Sequence, residues 1–339
     1  MTTMGDGVGR REFLRRAGGL PLILPLVGRR KLTAAFVRAE AERRVFRGVF
    51  AILQTPFTMS DEMDMEDLAR EADFCVRAGG HGLVWPQLGA EFYLLSEDER
   101  RRGAETILHA TPGRRPVVIG VQAPFKDAAI QLARHAEGNG ADAVISLPPY
   151  LGHASPDAVR DYYQSLAHAV KLPIFIQNSG SPWGPALSTE FVIQLARGSP
   201  QLGYIKEEVD PAPHRLEEYA RCGVMSGIFS GDAGRNMLNE IPRGSSGTMP
   251  ACEFVDVEAE VYNLAVGGKN EEAEELFQKL LPMINLENTY GMQFAKFVLV
   301  RRGVFKTSKM RNQAGPGLDK FDERELDAWW KRLQPYLKV

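Results

Sequence analysis

From about residue 45 onward, short apolar runs alternate with longer stretches whose apolar positions recur at helical spacing. Runs this short and this uniformly apolar suit strands buried on both faces, the condition of parallel strands joined by crossover helices. They fall at Gly48–Gln54, Gly82–Trp85, Pro116–Gly120, Ala143–Leu147, Pro173–Gln177, Leu202–Lys206, Val224–Phe229 and Ser246–Met249. Between them, Met65–Ala78 places Leu68, Ala72, Cys75 and Val76 at helical spacing, and Ser96–His109 opens with the capping box Ser96 and Glu99. Ser155-Pro156-Asp157 and Ser188-Thr189-Glu190 likewise read as helix starts. Eight strand–helix units predict an α/β fold, a closed (β/α)8 or TIM barrel rather than an open doubly wound sheet. No G-x-G-x-x-G opens the first helix, which disfavours a nucleotide-binding domain. Amphipathic stretches over Val255–Val266, Asn270–Leu281, Asn288–Arg302 and Glu323–Leu337 predict a helical extension. The chain thus divides into a leader and linker (1–44), the barrel (45–250), and the last barrel helix with the C-terminal extension (251–339).

With 41 Lys and Arg against 43 Asp and Glu, the chain has no basic surplus to neutralise phosphates, and no nucleic-acid partner is expected. Cys75, Cys222 and Cys252 are isolated and odd in number, so neither a disulfide framework nor a zinc site is indicated. The six histidines never fall at i, i+4 spacing with a carboxylate, and no metal is expected. Gly9-Arg10-Arg11-Glu12-Phe13-Leu14 followed by the moderately apolar Ala17–Gly28 resembles a twin-arginine export signal. The stretch is too short to span a bilayer, so the mature form is expected off the membrane and in the periplasm, or in the cytoplasm if the signal is not functional.

One residue carries chemistry by its position. Lys206 ends the apolar run Leu202-Gly203-Tyr204-Ile205-Lys206. In a parallel barrel the carboxyl ends of the strands open into the active site, and a desolvated lysine there is able to lose its proton and attack a carbonyl carbon. The bland alternative is a strand-end lysine reaching water. Glu208 points the same way as Lys206 if the strand continues that far. The turn marked by Val209-Asp210-Pro211 favours a solvated loop carboxylate instead.

The order of several motifs resembles the dihydrodipicolinate synthase and N-acetylneuraminate lyase family of class I aldolases over about residues 46–339. The resemblance rests on Thr55-Pro56-Phe57 after the first strand, Gly89-Ala90-Glu91 before Leu95-Ser96-Glu97, and Pro148-Pro149-Tyr150 after the fourth strand. Gln177-Asn178 ends the fifth strand, Ile205-Lys206-Glu207 matches the Schiff-base strand, and Ser230-Gly231-Asp232 and Gly244–Pro250 follow in order. It implies an imine between Lys206 and a 2-oxo acid such as pyruvate, no metal or organic cofactor, and a homo-oligomer, tetramer or dimer. Leu88, Gly89, Glu91, Asn178, Gly247 and Thr248 fall where the family's substrate-binding positions lie.

The departures fall on residues that do chemistry. A proton-relay tyrosine of the family corresponds to Gln177, its carboxylate-binding threonines to Leu88 and Gly89, and its second tyrosine to Leu151. An amide holds a hydrogen bond but does not replace a phenol as acid or base. These losses argue against the lysine-pathway synthase. They leave a divergent Schiff-base lyase, aldolase or dehydratase in which Lys206, Gln177 and Glu208 act, with Glu91 as a second candidate carboxylate or a group that satisfies backbone donors. The alternative is an exported barrel without turnover that serves as a binding or scaffold protein. Trp85 and Pro86, leading into the altered loop, predict a dry, aromatic pocket.

Overall fold

A computed structural model describes residues 45–312 and 317–339. The stretch read as an export signal lies outside the described residues. Eight parallel strands close into one barrel in chain order. They are β1 (Gly48–Ile52), β2 (Gly82–Trp85), β3 (Val117–Gly120), β4 (Ala143–Ser146), β5 (Ile174–Asn178), β6 (Tyr204–Glu207), β7 (Gly227–Ser230) and β8 (Gly247–Thr248). Closure comes from β8 pairing with β1 through Gly48 opposite Gly247 and Val49 opposite Thr248.

The helices of the outer ring are α1 (Met65–Ala78), α2 (Glu97–Ala110), α3 (Lys126–Gly138), α4 (Pro156–Ala169), α5 (Thr189–Gly198), α6 (Ala212–Cys222), the short α7 (Met237–Glu240) and α8 (Val255–Val266). Their ends follow local chemistry. The Asp64 side chain accepts from the backbone N–H groups of Glu66 and Asp67, and α1 stops where Gly79 takes a left-handed φ of 99°. Both halves of the Ser96–Glu99 capping box form at the start of α2. The extension is α9 (Asn270–Tyr290), α10 (Met292–Arg301) and α11 (Lys320–Leu333). The pattern stopped the first of these at Leu281, before Pro282. The helix runs through that proline because Met283, Ile284 and Leu286 beyond it are buried, and their packing outweighs one lost backbone hydrogen bond. The sixth strand starts two residues later than expected, because Pro200–Leu202 form a 3-10 turn ahead of it.

Strand alternation sorts the core into two layers. Phe50, Ile52, Val84, Val118, Ala143, Ile145, Phe175, Tyr204, Phe229 and Met249 form the packed interior of the barrel, with the rings of Phe175 and Tyr204 4.7 Å apart. The intervening residues pack against the helices. The same parity carries the inward row on to Gln54, Gln122, Gln177, Lys206, Glu208 and Gly231 at the carboxyl ends of the strands. The lower barrel is therefore apolar, and its upper rim is polar.

Candidate active site

Lys206 is a buried lysine, 2% exposed. It stands beside Gln177 in the β5–β6 register, so both side chains leave the same face. Nζ of Lys206 lies 2.9 Å from Oε1 of Glu208, and Nε2 of Gln177 donates to the other oxygen of Glu208 at 2.7 Å. Glu208 is one residue beyond β6 yet holds the strand's parity; its backbone N–H donates to the carbonyl of Asn178, so it is not the solvated loop carboxylate the turn suggested. The three side chains form one line: amide, carboxylate, amine. Gln177 Oε1 has no partner among the described residues.

Gly231 makes this line possible. A Cβ there would come within 2.2 Å of Glu208 Oε1, because the carboxylate folds back across the glycine to reach Lys206. Gly231→Ala is expected to push Glu208 off Lys206 and to lower kcat about 100-fold, the usual cost of misplacing a reacting group by an ångström. The melting temperature should shift little, since Glu208 is the end of a flexible side chain. Steady-state kinetics on the purified variant checks this, and an unchanged kcat would remove Glu208 from the chemistry. The next residue, Asp232, has its carboxyl raised above the usual range, chiefly by burial and then by the neighbouring Glu208 carboxylate, with Arg235 and Lys206 opposing. Its backbone is left-handed, φ 51°, and Arg235 pairs with it at 3.1 Å. It adds a second acid beside the line.

The remaining expected site residues divide. Leu88 and Gly89 open a 3-10 turn at the rim after β2, and a Cβ on Gly89 would lie 4.0 Å from Gln54 Nε2. Glu91 is corrected: fully buried, it pairs with the equally buried Lys296 at 2.5 Å and accepts from the backbone N–H groups of Arg311 and Asn312. It ties the segment after α10 to the barrel, satisfying backbone donors far along the chain rather than at a helix start. Asn178 is corrected too. Opposite strand parity turns it outward, away from the inward row of Lys206, where it donates to Leu187 O and to both oxygens of Glu207 and accepts from Leu187 N–H. Gly247 is a packing glycine, since a Cβ would sit 1.9 Å from the carbonyl of Gly48. Thr248 faces outward and bonds Ser230 Oγ at 3.1 Å, in a network that ends at Glu240.

That network yields a pH prediction. The buried Glu240 carboxyl is pushed up to about 7, first by burial, with Ser230 and Arg235 opposing and Asp232 adding to the rise. Between about pH 4.5 and 7 the unfolded chain ionises while the folded one keeps its proton, so this group costs stability as pH rises through that window and by a constant amount above it. Glu240→Gln keeps an oxygen for Ser230 and removes the cost. Its melting temperature relative to the parent should climb from pH 5 to pH 8, by the equivalent of about 2 kcal/mol; a pH-independent difference would refute the assignment.

Trp85 does not line the pocket. It turns outward, donating Nε1–H to Thr55 Oγ1 at 3.1 Å, and its ring lies where any Cβ on Gly103 would have to stand. The aromatic character of the mouth comes from Phe92, Tyr93, Tyr150 and Trp183, on the loops after β2, β4 and β5, with Tyr93 and Trp183 centroids 5.0 Å apart. Burial raises the Tyr150 phenol above its usual range. Composition gave no hint of this cluster, because its members meet only once three loops converge. Among the described residues, no group of three or more His, Cys, Asp or Glu is arranged to hold a metal ion.

A buried amine at a strand end, next to a carboxylate and inside a closed parallel barrel, stands where such barrels place their catalytic groups. The dihydrodipicolinate synthetase family matches residues 45–327, and the chain belongs to it. It is 30% identical over 295 residues to L-2-keto-3-deoxyarabonate dehydratase of Azospirillum brasilense, covering 85% of this chain and 95% of that protein. It is 29% identical over 242 residues to a protein of Escherichia coli named as a probable 2-dehydro-3-deoxy-D-pentonate aldolase, covering 70% and 80%. The crystal structure of dihydrodipicolinate synthase from Rhodopseudomonas palustris superposes with a TM-score of 0.76 at 25% identity, over 85% of this chain and 98% of that one. The chain is a divergent lyase of this family, and the reading as a barrel without turnover is not favoured.

Proposed function

We propose that the protein dehydrates or cleaves a 2-oxo acid bearing a hydroxyl at C4, through an imine on Lys206, with Glu208 moving the protons and Gln177 holding Glu208 in place. The observation that carries this is the Gln177–Glu208–Lys206 line, buried at the carboxyl ends of adjacent strands. Nζ of Lys206 adds to the C2 carbonyl, whose oxygen leaves as water, and the protonated imine withdraws electrons from C3. Glu208 takes a C3 proton to give the enamine. The enamine electrons then expel the C4 hydroxyl, which departs as a second water with the proton Glu208 returns. Hydrolysis consumes one water and frees Lys206, so the net change is loss of one water. In the cleavage branch Glu208 takes the C4 hydroxyl proton, the C3–C4 bond breaks to an aldehyde and an enamine, and the same proton goes back to C3.

The choice of a 3-deoxy, 4-hydroxy 2-oxo acid is supported by the names of the dehydratase and aldolase relatives, both of which describe such acids. Gln177 speaks against lysine-pathway synthesis, because an amide relays no proton at neutral pH. Intact mass after incubation with pyruvate and a panel of 2-oxo acids, with and without borohydride, tests the reading. A reduced adduct that peptide mapping places on Lys206 is expected; its absence with every acid, from folded protein, would sink it.

A further inference from the structure

Three glutamines close the inward rows at the barrel rim: Gln54 beyond β1, Gln122 beyond β3 and Gln177 on β5. All three are buried, at 1%, 0% and 0% exposure. Neither amide atom of Gln54 has a protein partner among the described residues, and neither Gln122 Oε1 nor Gln177 Oε1 has one. Gln177 is accounted for by Glu208. The other two are not used by the proposed chemistry.

Gln54 and Gln122 are nonetheless held firmly. The backbone N–H of Gln54 donates to the buried carboxyl of Glu71 at 2.8 Å. The carbonyl of Gln122 accepts from Arg100 Nη1 at 3.0 Å, and its Nε2 donates to the carbonyl of Pro86 at 3.0 Å. Gly120, directly below, brings Gln122 Oε1 over the barrel interior: a Cβ at Gly120 would lie 2.9 Å from that oxygen. Gln54 Nε2 faces Gly89 on the neighbouring loop. A buried amide without a partner costs stability, so a native chain keeps one where something else completes it. Gln54 offers a donor and an acceptor together, Gln122 an acceptor. A carboxylate would meet two repelling oxygens there, whereas a hydroxyl both accepts and donates.

We propose that Gln54 and Gln122 are specificity-determining residues that bind the hydroxyl groups of the substrate chain, so that the site prefers a polyhydroxylated 2-oxo acid over its deoxygenated analogue. This rests on the imine reading only for the placement of the substrate, and its test is independent of imine formation. In a Lys206→Met background, which forms no imine, calorimetry compares 2-oxo-4,5-dihydroxypentanoate with 2-oxopentanoate. The dihydroxy acid should bind at least about 10-fold more tightly, the worth of one or two satisfied hydrogen bonds. Adding Gln54→Leu should bring the two affinities together by loss of the hydroxylated ligand alone, and adding Gln122→Leu should narrow the gap. Gln54→Leu removes an unpartnered amide and is expected to melt no lower than the parent; Gln122→Leu also breaks the bond from Nε2 to the Pro86 carbonyl, so its folding is checked by circular dichroism before binding is read. Equal affinity for the two acids, no binding of either, or a preference that survives Gln54→Leu with Gln122→Leu would overturn the proposal and leave ordered water as what completes these amides. Borohydride trapping of pyruvate on the native Lys206 is read separately. Its failure would sink the imine reading without touching the hydroxyl preference.

Discussion

Lys206→Ala is expected to abolish the borohydride-trapped adduct and to lower kcat by about 10⁴-fold or more, the scale on which enzymes lose rate when a covalent nucleophile is removed. Two buried lysines compete for this role. Lys296, on α10, is fully buried and its amine is pushed below the usual range chiefly by that burial, with Glu91 opposing. A desolvated amine of this kind is a chemically sound nucleophile. Its three directions are already taken, however: Glu91 at 2.5 Å, the carbonyl of Lys309 at 3.1 Å, and the face of Phe57 at 4.6 Å from the ring centre. Lys206 has one close charged partner, Glu208 at 2.9 Å, and stands on the inward row at the carboxyl end of its strand, the end at which a barrel of this kind opens to its substrate. Peptide mapping of the reduced adduct separates the two: mass on Lys296, or an adduct that persists in Lys206→Ala, would overturn the assignment. Because the alanine leaves Glu208 buried without its cation, folding must be checked by circular dichroism, with Lys206→Met as the variant that keeps the volume.

The barrel was legible because both of its layers are apolar and its strands are short, so each strand stands out against the helix that follows. Boundaries slipped where a local rule met packing, as at Pro282, which ended the expected helix while the buried Met283, Ile284 and Leu286 carry the real one onward. The site was legible in part. Lys206, Gln177 and Glu208 share one strand parity, which a period of two reveals without coordinates. Glu91 and Asn178 look equally suitable in the sequence, but their use is decided by partners far along the chain: Lys296 and Arg311 for the first, Glu207 and Leu187 for the second. The rim amides of Gln54 and Gln122 also carry inward parity. They escaped notice because an uncharged amide signals function only once it is seen to be buried without a partner.

Glu208→Gln is expected to separate imine formation from proton transfer. The variant keeps the shape of the side chain: its one oxygen accepts from Lys206 and its NH2 donates to Gln177 once that amide turns its unpartnered Oε1 toward it, so Lys206 stays in place; what it loses is the base. With pyruvate as ligand, borohydride trapping should reach the same end point as in the parent, because the imine needs only the amine and the carbonyl. Exchange of the pyruvate methyl protons with deuterated solvent requires a base at C3, and its rate, followed by NMR, should fall about 10²–10⁴-fold. Turnover of the hydroxylated acid should fall by a similar factor, with little change in KM, since the carboxylate acts after the substrate is bound. Asp232 is the group that would defeat this expectation. It lies within electrostatic reach of both Glu208 and Lys206, and burial raises its carboxyl. If exchange survives Glu208→Gln but not Asp232→Asn, the base is Asp232, and Glu208 serves to hold the amine. If exchange survives both, the proton leaves by a route outside the line of Gln177, Glu208 and Lys206, and the chemistry assigned to that line is wrong.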